Sequence, residues 1–150
     1  MGPDAFADWL CAGIFKLVSQ ERMRIQTRDA NGKPNGWVLP VWNSRETEYR
    51  PAQVYVTAVA PFSSKGPHLH RKRSQNYRCI VGHVQIISRN GDEYTTHRLG
   101  PYSDAVIVPA GTPSQIINLM DQEAILVNCP DVAWASDDQD EWPVEDWKPC

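Results

Sequence analysis

A chain of 150 residues, 41% of them apolar, is long enough for one domain with a core of its own. Its net charge of −3 argues against a nucleic-acid surface built on bulk positive charge. With no run of ~18 apolar residues, no transmembrane helix is expected and no membrane partner. The four cysteines, Cys11, Cys79, Cys129 and Cys150, form no C-x-x-C pair. They read as free thiols in a reducing compartment, with disulfides formally open on the even count. The amino-terminal stretch lacks the basic-then-apolar pattern of a secretory signal, so the expectation is a soluble cytoplasmic domain.

In chain order, residues 4–18 place Phe6, Leu10, Ile14 (or Gly13) and Leu17 on one stripe, with Asp4 as N-cap. That spacing predicts a short helix in an amino-terminal segment, 1–28, packed on the body of the domain or on a second subunit. Residues 29–36 hold two Asn-Gly pairs and a proline, which is turn chemistry. Trp37–Trp42 follows as a short strand, kept to an edge or an end by Pro40. Residues 53–60 alternate and are β-branched, predicting a strand, and 61–67 form a turn into a strand carrying His68 and His70. Strong β signal runs from Tyr77 to Ser88, a hairpin turn falls at Asn90-Gly91, and Tyr94–Arg98 returns. After a turn at Gly100–Asp104, Ala105–Val108 reads as a buried strand. Gln115–Leu119 and Glu123–Asn128 read as a second hairpin around Met120–Gln122. Many short strands with turns between them predict an all-β sandwich or barrel over 29–134. From 135 to 150 the composition turns acidic, with Trp142 and Trp147, predicting a tail that packs on the barrel.

The stretch with chemistry is Lys65–Gly82. Residues two apart in a strand share a face, so His68 and His70 converge on one spot if that face looks inward. The same alternation turns Gln75, Tyr77 and Cys79 inward, and likewise Ser114, Ile116 and Asn118. Lys65–Gly82 and Pro109–Asn118 resemble, in the right order, the two motifs of the cupin superfamily, G-x5-H-x-H-x3,4-E-x6-G and P-x-G-x2-H-x3-N. Gln75 stands in the glutamate slot and Ser114 in the place of the second motif's histidine. The resemblance implies a jelly-roll β-barrel.

A typical metal cupin supplies three histidines and a glutamate. Here two imidazoles remain, and with a metal present the donors would be His68, His70 and the weak Gln75. Known metal sites use three or more protein donors, so no metal and no cofactor are expected. Metal-free proton transfer is the preferred chemistry, because an imidazole can take or give a proton near neutral pH. Tyr77 is a phenolic acid or a core residue with a bonded hydroxyl, and Cys79 is packing. Lys65, Arg71, Lys72 and Arg73 bracket the histidines as a solvated edge or as a diphosphate clamp.

Gln53–Pro61, Lys65–Lys72 and Val108–Pro113 resemble the RmlC-like dTDP-sugar epimerase and isomerase cupins, and the resemblance spans residues 53–147. It implies that His68 is the base. His68, His70, Arg71 and Gln75 follow the ketoisomerase pattern H-x-H-K-x3-Q with Arg for Lys, and those enzymes also lack the histidine at the place of Ser114. Asp137–Trp147 is similar in character to their acidic tail. The resemblance further implies a nucleotide-diphosphate sugar substrate, a 4-keto-6-deoxy sugar bearing dTDP, and a homodimer that works without metal. Substrate contacts are then expected from Lys65, Arg71, Arg73, Gln75, Ser114 and Asn118, and catalysis from His68, His70 and Tyr77. The epimerases take their acid from a tyrosine just after a segment like Asn128–Asp131. Here Val132, Ala133 and Trp134 follow, which favours the isomerase or an activity on another substrate. The competing readings are a metal-dependent oxygenase or lyase and a non-catalytic sugar-binding cupin.

Overall fold

The computed structural model describes residues 15–18 and 24–149. Twelve strands account for all regular structure among them, in chain order: β1 (Phe15–Val18), β2 (Ile25–Arg28), β3 (Pro34–Val38), β4 (Tyr55–Val59), β5 (Ser63–His70), β6 (Gln75–Val81), β7 (Val84–Asn90), β8 (Glu93–Leu99), β9 (Val106–Val108), β10 (Ser114–Asn118), β11 (Ala124–Asn128) and β12 (Glu141–Pro143). A six-stranded sheet runs β1-β8-β7-β10-β5-β12, and a four-stranded sheet runs β4-β11-β6-β9. The expected all-β architecture is present, but the two sheets remain open rather than closing into a barrel.

The core lies between the sheets. Ile86, Leu99 and Ile116 from the larger sheet meet Val59, Tyr77, Cys79, Val108, Ala124 and Leu126 from the smaller. Period-two alternation produces this directly: Ile86 and Ile116 point between the sheets, while their neighbours Ile87 and Ile117 join a second cluster with Tyr94, Leu119 and Trp147. The carboxy-terminal segment covers that outer face: the Trp147 indole nitrogen donates to Gln115 Oε1 (2.9 Å), and the Lys148 amide donates to Tyr94 Oη (3.0 Å).

Two expectations are corrected here. Residues 4–14 of the expected helix lie outside the described residues, and Phe15–Val18 are a strand paired in parallel with Tyr94–His97. Sheet pairing has overridden the local helical spacing there. Residues 114–128 form no hairpin. β10 pairs with β5 and β7, whereas β11 pairs with β4 and β6, so the Met120–Gln122 turn carries the chain from one sheet to the other. Asn118 shapes this crossing. Its amide nitrogen donates to the carbonyls of Val59 (3.0 Å) and Gln122 (2.7 Å), and its Oδ1 accepts from the Met120 amide (2.9 Å).

β5 carries a bulge that positions the site. Ser114 faces His68 in register but Ile116 faces Lys65, so β5 holds one extra residue between them. The slip turns Lys65 to the same side as His68. Gly66 sits inside the bulge at φ +86°, and a Cβ there would lie 2.8 Å from the Ser114 carbonyl oxygen and 2.9 Å from the His68 amide nitrogen. Both obstacles are backbone. Gly66→Ala is therefore expected to cost roughly 1–3 kcal/mol of stability and to displace His68, visible as a lower melting temperature with reduced turnover.

Candidate active site

β4, β5, β6 and β12 enclose a cavity of about 400 Å³. His68, His70 and Lys65 reach it from β5, Tyr55 and Thr57 from β4, Tyr77 from β6, and Glu141 from β12, with Arg73 and Trp134 at its margins. The two imidazole rings meet edge to face with centroids 4.9 Å apart. Same-face placement of residues two apart brings them together, as the alternation predicts.

β12 supplies the acidic half of the site, which the sequence reading missed. In its antiparallel register Glu141 lies directly opposite His70 and Pro143 opposite His68. Glu141 Oε1 is 3.8 Å from His68 Nδ1, and Glu141 Oε2 is 4.0 Å from His70 Nε2. Its neighbour Asp140, 1% exposed, holds His70 from behind, with Oδ2 3.2 Å from Nδ1. A carboxylate only accepts, so His70 Nδ1 carries the proton and Nε2 presents its lone pair to the cavity. Asp140 is itself fixed by the Lys72 amide, 2.5 Å from Oδ1, and lies 3.3 Å from Arg73 Nε.

Burial pushes both imidazoles below their ordinary pKa by penalising the charged form. For His68 the Glu141 carboxylate opposes this, and Arg73 and Lys65 reinforce it. For His70 the neighbouring His68 and Arg73 reinforce it, and Asp140 and Glu141 oppose it. A base must be neutral to act, so the acidic limb of kcat/KM is expected below ~6.5. Glu141→Gln removes a group that raises the His68 pKa and should move that limb to lower pH, as a rate profile with chelator present would read.

Tyr55 was missed as well. The Asn128 amide nitrogen donates to its oxygen at 2.6 Å and also to Gln75 Oε1, and Asn128 Oδ1 accepts from the Asn76 amide at 3.1 Å. Since the Tyr55 oxygen accepts from Asn128, its own hydrogen is free to point into the cavity. Burial pushes its pKa up, so the phenol keeps that proton. Tyr77 also lines the cavity, is 4% exposed, and has its pKa raised by burial. The strand over 53–60 carried the signal for Tyr55: 53, 55 and 57 are partly buried and 54, 56 and 58 exposed.

The other expected residues fall as follows. Lys65 is exposed at the cavity, with no ion-pair partner among the described residues. Arg73, 4% exposed, also lines the cavity but is engaged by Asp138 at 2.8 Å. Arg71 lies outside the lining and stacks on Trp142, 3.7 Å from the ring centre. Gln75 is buried behind the cavity on Asn128, Ser114 is buried opposite His68, and Asn118 is committed to the chain crossing described above. Among the described residues the donors that cluster for a metal are His68, His70 and Glu141, with Glu141 in place of the expected Gln75.

The family model FdtA, WxcM-like, C-terminal, matches residues 21–142. No curated protein matches the chain. Among solved structures it is similar to QdtA, a sugar 3,4-ketoisomerase from Thermoanaerobacterium thermosaccharolyticum in complex with TDP. The TM-score is 0.66 at 18% identity over 86% of this chain and 88% of that one. ChmJ, a 3'-monoepimerase from Streptomyces bikiniensis in complex with dTDP-quinovose, gives a TM-score of 0.66 at 19% identity over 85% of this chain and 69% of that one. The capsular polysaccharide assembling protein CapF from Staphylococcus aureus gives 0.58 at 21% identity over 62% of this chain, which spans only 26% of that protein's length. These likenesses establish the fold.

Proposed function

Because this chain belongs to the FdtA, WxcM-like C-terminal family, we propose that it isomerises a nucleotide-linked 4-keto-6-deoxy sugar, dTDP being the favoured nucleotide, through an enediol and without a metal. The observation that carries the reading is the pair of imidazoles 4.9 Å apart beside a cavity-facing phenol.

In a 3,4-ketoisomerisation His68 takes the proton from C3. The electron pair forms the C3–C4 double bond, and the C4 oxygen takes the Tyr55 proton, giving the enediol. The C3 hydroxyl then returns a proton to the Tyr55 oxygen as its carbonyl forms. The proton collected by His68 passes towards His70 and exchanges with solvent on the way, and His70 delivers a proton to C4. Protons and electrons balance, and each group ends as it began. Asp140 supports the His70 step by stabilising the transient imidazolium, a positioning role. Delivery of the proton back to C3 from the other face would make the same machinery an epimerase.

The charge arrangement suits a diphosphate: Lys65 is exposed on the cavity side with no ion-pair partner among the described residues, and a strongly hydrated ammonium is a usable phosphate partner. The cavity falls in the ordinary range for small-molecule sites, about 300–1,000 Å³, so it accommodates the sugar with the nucleotide extending outward. The reading carries a homodimer with it. No described helix is long and apolar enough to cross a membrane.

The test is product analysis by NMR with dTDP-4-keto-6-deoxyglucose as substrate. A 3-keto product supports the isomerase, a C3 or C5 epimer supports the epimerase, and unchanged substrate contradicts both. Tyr55→Phe is expected to lower turnover about 10²-fold while leaving the fold intact, since the phenyl ring keeps its place and only the proton is lost.

A further inference from the structure

We propose that His68, His70 and Glu141 also form a binding site for a divalent ion of the zinc class, and that its occupancy silences proton transfer at the same histidines. The inference rests on the enolisation reading for its regulatory half and on geometry alone for the site. Each of the three residues offers one ligand atom, and these atoms all lie within 4.8 Å of one another. Two imidazoles and one carboxylate are an established donor set for zinc with a fourth position left to water. The register of β12 on β5 builds the set, placing Glu141 opposite His70.

A second observation points the same way. Metal-ligating histidines characteristically give their other ring N–H to a carboxylate, which fixes the tautomer and strengthens the donor. His70 does this with Asp140, leaving Nε2 free and turned towards Glu141 at 4.0 Å. Tetrahedral ligands at zinc–nitrogen distances stand ~3.4 Å apart, so the cluster must contract. Glu141 has the freedom to do so, its side chain being 59% exposed. A bound ion would occupy the lone pairs that remove and deliver the substrate proton. The ion therefore competes with catalysis instead of assisting it.

The experiment is a titration of chelator-treated protein, free of any histidine tag, with Zn2+ by calorimetry and with Co2+ by visible absorption. One equivalent of saturable binding is expected, with a cobalt spectrum of nitrogen/oxygen coordination. His68→Ala and His70→Ala should each abolish it, Glu141→Gln should weaken it sharply, and Asp140→Asn, behind His70, should weaken it about 10–100-fold. In the sugar assay Zn2+ should inhibit and chelator should restore full rate. Absence of saturable binding, or binding unchanged in the folded His68→Ala/His70→Ala double variant, would overturn the site. Turnover that rises with Zn2+ would overturn the silencing. Binding without any isomerase activity in chelator leaves the site standing and removes the enzymatic reading instead.

Discussion

Replacing both histidines, as His68→Asn/His70→Asn, is expected to lower kcat by about 10²–10⁴-fold, and either single variant to lose most of that. The argument is one of shared work: one imidazole collects the proton and the other delivers it, so removing either interrupts the same relay. Asparagine fills a similar volume and keeps a polar group at the site, but it cannot exchange a proton near neutral pH. The two losses should therefore be strongly non-additive. Steady-state rates on the keto sugar, with circular dichroism to verify the fold, check this. A double variant within about threefold of wild type would end the assignment, because proton-transfer groups contribute at least about 10²-fold.

Arg73→Ala is expected to cost stability on the scale of a broken buried ion pair, about 3–5 kcal/mol. Arg73 is 4% exposed, and its Nε lies 3.3 Å from an oxygen of Asp140, itself 1% exposed. Truncating the guanidinium leaves a carboxylate out of water with only His70 and the Lys72 amide to hold it. At about 2–4 °C per kcal/mol for a chain of this size, the melting temperature should fall by roughly 10 °C. Arg73→Lys, which keeps the charge and loses the planar fork, should lose less. Because Arg73 adds to the burial that lowers both imidazole pKa values, the acidic limb of the rate should move to higher pH in the alanine variant. Thermal melts and a pH profile read the two effects separately. A melting point unchanged to within about 2 °C would show that the pair contributes nothing, a result known for exposed ion pairs and not expected of one this buried.

Local pattern made half of the site legible in the sequence. Period-two alternation is a property of the strand itself, so it placed His68, His70 and Tyr77 at one cavity before any pairing was known. The same rule applied to Gln53–Ala60 would have found Tyr55. Glu141 and Asp140 were of another kind. They lie in an acidic stretch that reads as a tail packing somewhere on the barrel, and only the pairing of β12 with β5, some seventy residues apart in the chain, puts them beside the histidines. The basic cluster was legible as a cluster but not in its parts, because the bulge at Gly66 turns Lys65 to the cavity, and Arg71, just past the end of β5, stacks on Trp142. The hairpin expected around Met120 failed for a similar reason. Two apolar strands joined by a tight turn look alike whether they pair or pass between sheets, and the Asn118 hydrogen bonds that shape the crossing leave no periodic trace.

The measurement that bears most directly on enolisation by this histidine pair is solvent exchange in D2O, followed by NMR on dTDP-4-keto-6-deoxyglucose with chelator present throughout. Deuterium entering at the carbon whose configuration or oxidation level changes, and failing to enter in the folded double histidine variant, is the predicted result. Exchange that persists in that variant, or that begins only when a metal ion is added back, would contradict it.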